Sequence, residues 1–248
     1  GGGAKGQRLK TRSSFPNHVA FLSDRTLAAS FSLQPSGPGG MKDQFGVQVI
    51  DVRTGDPVAE AGGHAARIEA IAVSDDGKWL GTGGNDSIVK VWDISAYGTP
   101  RPKPSASVTP MPPAKTPDAP VAEAANDPPT NLPTFDPVKS DTPVVLTGHV
   151  GRVTSVAFSP DGERVAALAC DQSSKLLIFK GEVAVWNVKT GRVDRRIPFD
   201  ANNFPELDKA RITFCPDGLR VAVATSQAVM VWDAATGRTE RKYNHHVF

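Results

Sequence analysis

Runs of alternating apolar and polar residues recur along this chain, each short and each bounded by Gly, Asp, Asn or Pro. The clearest set lies in 63–93, GHAARIEAIAVSDDGKWLGTGGNDSIVKVWD, where RIEAIAV and KWLGTG flank the turn SDDG and a third run ends in VWD. A period of two places successive side chains on opposite faces of an extended strand, so these runs predict strands over about 67–73, 78–83 and 87–92. RVTSVAF with ERVAALA, and ARITF with LRVAVAT, repeat the pattern downstream. No window shows apolar residues at i, i+3, i+4 and i+7 with a cap, so no helix is expected.

The runs belong to an internal repeat. Four segments close alike, as VIDVRTG, VWDISAYG, VWNVKTG and VWDAATG, and their aligned positions Ile50, Trp92, Trp186 and Trp232 are 42, 94 and 46 residues apart. The middle gap is one period plus an insertion. Each unit has an upstream turn, SDR, SDDG, SPDG or CPDG, in which Pro presets φ, Asp bonds its own backbone and Gly accepts positive φ. The units therefore read as four strands each, a to d, with boundaries near 15–62, 63–148, 149–200 and 207–244.

The insertion at 99–141 holds more than half of the chain's 21 prolines and few β-branched or aromatic residues. Such a composition cannot build a sheet and is expected to be a solvated, partly polyproline-like, disordered loop. TPVVLTG then resumes as the delayed fourth strand of the second unit.

With these motifs in view, the chain resembles the WD-repeat β-propeller family, strongly in the second unit, well in the third and fourth, and loosely in the first, where Ile50 stands in place of Trp. The resemblance implies an all-β fold, a β-propeller of four-stranded antiparallel blades, partial or open, with the Pro-rich loop inserted in the second blade. It also implies roles for polar residues. His64, Thr82, Asp86 and Trp92 match a buried structural hydrogen-bond chain from Asp through His and hydroxyl to the indole. In the third unit His149, Asp171 and Trp186 are kept, but Ala167 takes the hydroxyl position. The fourth keeps Trp232 alone, with Ser226 nearest the turn Asp site.

By the same resemblance, positions that meet a bound peptide fall on Arg67, Glu69, Arg152, Thr154 and Asp208, with Asn85 and Cys170 preceding the turn Asp. Two arginines suit an acidic or phosphorylated segment; simple solvated charge is the alternative. In the long connection 172–181 the apolar run containing Leu177 and Phe179 is a second candidate contact, or else extends the hairpin and packs on its neighbour.

The ends add one expectation. Residues 4–14 resemble a strand d, yet the last unit already has its own in GRTERKYN. The extra strand implies an excerpt of a larger propeller, associated with further blades or with another copy; a ring of four is the alternative.

Composition narrows the chemistry. With 28 basic and 26 acidic residues the formal charge is +2, which favours neither nucleic acid nor an anionic membrane surface. No run approaches the roughly 18–20 apolar residues of a membrane span, and no signal segment is seen. Cys170 and Cys215 are too far apart and too few for a metal pair or a disulfide framework, and adjacent His245 and His246 would point to opposite strand faces. No phosphate loop, dinucleotide fingerprint or nucleophile elbow occurs. The expectation is thus a non-enzymatic protein–protein interaction scaffold with no cofactor or metal, its compartment unassigned. The alternatives are a ligand-binding or enzymatic propeller of hydrolase or oxidoreductase type, and a sensory or anchoring module of a multidomain protein.

Overall fold

The computed structural model describes residues 17–33, 44–97, 143–171, 180–200 and 209–244. The insertion 99–141, the candidates Leu177, Phe179 and Asp208, and the His245–His246 pair lie outside the described residues.

Among the described residues, sixteen strands form four antiparallel sheets. The first comprises β1 (Val19–Phe21), β2 (Thr26–Leu33), β3 (Gln44–Asp51) and β4 (Pro57–His64). The second comprises β5 (Ile68–Val73), β6 (Trp79–Gly84), β7 (Val89–Asp93) and β8 (Val144–Leu146). The third runs β9 (Arg152–Phe158), β10 (Arg164–Asp171), β11 (Lys180–Asn187), β12 (Val193–Asp200). The fourth runs β13 (Arg211–Phe214), β14 (Arg220–Ala224), β15 (Ala228–Asp233), β16 (Thr239–Asn244). Within each sheet the strands pair in chain order. The delayed strand is where its sequence placed it, with Val144 opposite Val91 and Leu146 opposite Val89.

The register shows how far the repeats coincide. Trp92 lies opposite Leu80, Trp186 opposite Val165, Trp232 opposite Val221 and Ile50 opposite Leu27. One turn chemistry holds the first hairpin of the later sheets. In the third, Gly162 at φ 71° donates to Ser159 O at 2.8 Å while Ser159 Oγ accepts from Arg164 N; a side chain at that φ would strain the turn.

The sheets stack through their inner strands, β1 on β5, β5 on β9, β9 on β13. Three apolar layers fill the gaps. Val47, Val49 and Leu22 meet Leu80 and Trp92 between the first and second sheets. Val89, Val91 and Leu146 meet Val165, Ala167 and Trp186 between the second and third. Leu168, Val183 and Val185 meet Phe214, Val221 and Trp232 between the third and fourth. The indoles of Trp92, Trp186 and Trp232 each face the preceding sheet, and each is at most 4% exposed. Burying such a ring stabilises by several kcal/mol, roughly 3–5 on truncation to alanine. The result is an arc of four propeller blades and not a closed ring: one face of the first blade and one of the fourth lie outside the stack. No helix among the described residues is long and apolar enough to cross a membrane.

Candidate interaction surface

The b-to-c turn of the second blade positions the first group of polar residues. Asp86 follows β6 and accepts from His64 Nδ1 at 2.9 Å, from Ala65 N at 2.9 Å and from Ile88 N at 3.3 Å. His64 Nε2 lies 2.8 Å from Thr82 Oγ1, which accepts from the Trp92 indole at 3.3 Å. A carboxylate at Nδ1 requires the proton there, so Nε2 accepts and the Thr82 hydroxyl donates to it. The His64 and Asp86 side chains are 1% and 6% exposed. Burial would raise the Asp86 carboxyl, yet the His64 bond and field and the two backbone donors hold it below the ordinary carboxylate value. This His, hydroxyl and carboxylate occur in a triad-like order, but Thr82 is wholly buried and bonded on both sides. No substrate reaches it without opening the blade. The group's effect is mechanical: it ties the loop before β5 to the turn after β6.

That tie fixes Arg67. Asn85 N donates to Arg67 O at 2.9 Å, Asn85 Nδ2 donates to Glu69 Oε1 at 3.1 Å, and Arg67 Nε lies 3.6 Å from the same carboxylate. His18, just before β1, and Arg211, at the start of β13, belong to the same neighbourhood. Burial lowers the His18 pKa, with Glu69 opposing and Arg211 and Arg67 adding to the shift. Arg211 is exposed and donates to the carbonyls of Lys209 and Ala210. The inner strands thus gather Arg67, Glu69, Asn85, His18 and Arg211 from three blades at one mouth, and Arg152 opens β9, half-buried at the position equivalent to Arg67.

The sequence-derived positions separate here. Arg67, Glu69, Asn85 and Arg152 are at least partly exposed, whereas Thr154 and Cys170 are buried at 4% and 1%. Thr154 Oγ1 donates to Leu168 O at 3.4 Å, so it braces β9 against β10 and does not face the mouth. His18 and Arg211 escaped the sequence reading. They occupy equivalent register positions, three residues before Phe21 and Phe214, and the register supplies the signal that could have found them.

The third blade solves the loop problem differently. The His149 side chain is fully buried and stacks on Trp186 at 4.6 Å between ring centroids, and neither ring nitrogen makes a hydrogen bond among the described residues. Burial, with Arg196 adding, pushes its pKa down to about 4. Arg196 instead ties the loop, donating to Gly148 O at 2.7 Å, Thr147 O at 3.2 Å and the buried Glu182 at 2.8 Å. In the fourth blade Thr225, and not Ser226, organises the turn, accepting from Ala228 N at 3.0 Å and Gln227 N at 3.3 Å. No group of three or more His, Cys, Asp or Glu residues placed to hold a metal ion occurs among the described residues.

Comparison with known proteins agrees with this architecture. Residues 55–93 and 141–179 match the family described as WD domain, G-beta repeat. Transducin beta-like protein 3 of Bos taurus is 27% identical over 182 residues, covering 71% of this chain and 22% of the relative. Protein HIR1 of Candida albicans is 26% identical over 191 residues, covering 71% and 19%. The U3 small nucleolar RNA-associated protein 21 homolog of Schizosaccharomyces pombe is 38% identical over 52 residues, covering 21% and 6%. The chain spans about a fifth of the length of the first two of these relatives.

Proposed function

This chain belongs with the WD-repeat proteins, and from that premise we propose that it is a non-catalytic platform for protein–protein contact that seats an acidic segment of its partner at the mouth of the inner strands. The observation that carries the reading is the gathering of Arg67, Glu69 and Arg211 around His18, with Arg67 Nε 3.6 Å from the Glu69 carboxylate. Arg152 stands at the next blade's equivalent position. Guanidinium groups donate bidentately to carboxylate or phosphate oxygens, and their fork geometry makes the contact directional. The buried hydrogen-bond chain of His64, Thr82, Asp86 and Trp92 keeps the backbone beneath Arg67 rigid, so little ordering accompanies binding.

The test uses a fluorescein-labelled twelve-residue peptide rich in Glu and Leu, and the same peptide with Gln for Glu. Fluorescence anisotropy should show binding of the acidic peptide alone, weakening as salt rises from 50 to 300 mM. Arg67→Glu and Arg211→Glu should each reduce affinity at least tenfold with the melting temperature unchanged. Equal affinity for both peptides, or no response to either reversal, would overturn the reading.

A further inference from the structure

Two of the three joints between blades are closed by the outer strand of the earlier blade. Leu146 of β8 and Ile197 of β12 share one register position, opposite Val89 and Val183, and Val144 and Arg195 share another, opposite Val91 and Val185. These side chains reach the turn after the third strand of the next blade. A Cβ on Gly191 in that turn would lie 3.0 Å from Val144 Cγ1 and 3.6 Å from Leu146 Cδ2; one on Gly237 would lie 3.3 Å from Arg195 Cδ and 3.4 Å from Ile197 Cγ1. Leu146 and Ile197 are accordingly buried against Trp186 and Trp232.

The joint between the first and second blades lacks this closure. Its equivalent positions on β4, opposite Val47 and Val49, are Ala61 and Ala59, whose side chains end at Cβ. A cleft of about 190 Å³ lies there, between the two alanines on one side and Leu80, Trp92, Ile94 and Tyr97 on the other. An apolar cavity of about 150 Å³ is enough to hold a benzene ring. The far wall is fixed: Tyr97 N donates to Ile94 O at 2.8 Å, Tyr97 O accepts from Thr26 Oγ1 at 2.8 Å, and the Trp92 indole is held by Thr82. Ala59 and Tyr97 are half-buried and Ser95 and Ala96 at the edge are exposed, so the cleft opens beside the turn after β7. That turn is at the opposite end of the β6–β7 hairpin from Asp86 and the Arg67 mouth. Glu60 and Asp93 also border the cleft, which sets it apart from that arginine-rich mouth.

We propose that this cleft seats one branched aliphatic side chain, of leucine size, from a partner segment. The molecule itself shows the fitting occupant twice, since Leu146 and Ile197 close the equivalent places in the next two joints. A leucine entering from outside supplies the neighbouring atoms that Ala59 and Ala61 withhold from Leu80 and Trp92. Walls already held by backbone bonds and by the core need little ordering when it enters. The contact is a second one, on the face away from the mouth, and it involves no charge on the incoming side chain.

The experiment is nuclear magnetic resonance on the full chain carrying labelled alanine methyl groups. The probe is the uncharged peptide acetyl-Ser-Gly-Leu-Gly-Ser-amide, with its Ala-for-Leu analogue as control. A one-side-chain contact is weak, so each is titrated to about 10 mM. The Ala59 and Ala61 signals should move saturably with the leucine peptide and stay still with the analogue. Arg67→Glu, which disables the mouth, should leave this response unchanged, so failure here and failure of the acidic-segment reading are separable. Ala61→Leu copies the next joint; it should raise the melting temperature and weaken the response read at Ala59 at least tenfold. Should overpacking cost that variant its fold, Ala59→Val is the smaller filling and should weaken the response read at Ala61. No movement of either signal in the parent would overturn the proposal and leave the cleft a packing gap. Equal movement with both peptides, movement confined to Ala65 and Ala66 near the mouth, or filled variants that respond as the parent does would overturn it as well.

Discussion

Replacing Asp86 with alanine tests the central structural claim about the second blade. The substitution removes the acceptor for three donors: His64 Nδ1, Ala65 N and Ile88 N. Ala65 is exposed, so water can replace the carboxylate at its N–H. His64 has a side chain only 1% exposed and cannot be solvated where it stands. Leaving one buried donor unsatisfied costs about 1–3 kcal/mol, and a partly lost backbone bond adds less, giving roughly 2–3 kcal/mol in all. At about 2–4 °C per kcal/mol for a domain of this size, the melting temperature should fall by about 4–12 °C. Asp75→Ala, at an exposed position in the preceding turn, is the matched control and should stay within about 0.5 kcal/mol. A cycle with His64→Ala isolates the pair: Asp86→Ala should cost less by at least about 1 kcal/mol once the imidazole is gone. Equal melts for the Asp86 and Asp75 variants, or an additive cycle, would refute the hydrogen-bond chain as a stabilising unit.

The third blade predicts acid lability. His149 is neutral when folded, with a pKa of about 4 against an ordinary 6.5, so the unfolded chain binds the extra proton between those values. Its stabilisation is full above pH 6.5 and is lost as pH falls towards 4, amounting to about 3 kcal/mol. Urea unfolding across pH 4–7 should show this slope, and His149→Phe, which keeps a ring on Trp186, should remove it. Packing of the second blade on the third predicts a further cost. A Cβ on Gly83 would overlap Val153 and come within 3.0 Å of Val156 Cγ2. Gly83→Ala should therefore destabilise by about 1–3 kcal/mol in chemical denaturation despite alanine's better strand propensity, and Val153→Ala should recover part of that loss.

The repeat, the strand periodicity and the buried tetrad are legible in the sequence because they depend on near neighbours. His64, Thr82, Asp86 and Trp92 fall within one repeat, and a period of two with an Asp-Gly turn admits few other pairings. The same local logic reads the delayed strand Val144–Leu146 across its insertion, since β7 needs a partner for its outer edge.

What only the tertiary structure decided is which charges meet. Arg67, Glu69, His18 and Arg211 come from three blades, and only the stacking of those blades brings them to one place. Arg196 reaches back 48 residues to the Gly148 carbonyl and ties that loop; Ala167 in the sequence indicates only that the hydroxyl is absent. Thr154 shows the converse, a residue at a contact position turned inward by its strand. Local patterning determines which face of a strand is apolar, whereas the stacking of one blade on the next determines which of those faces meets solvent.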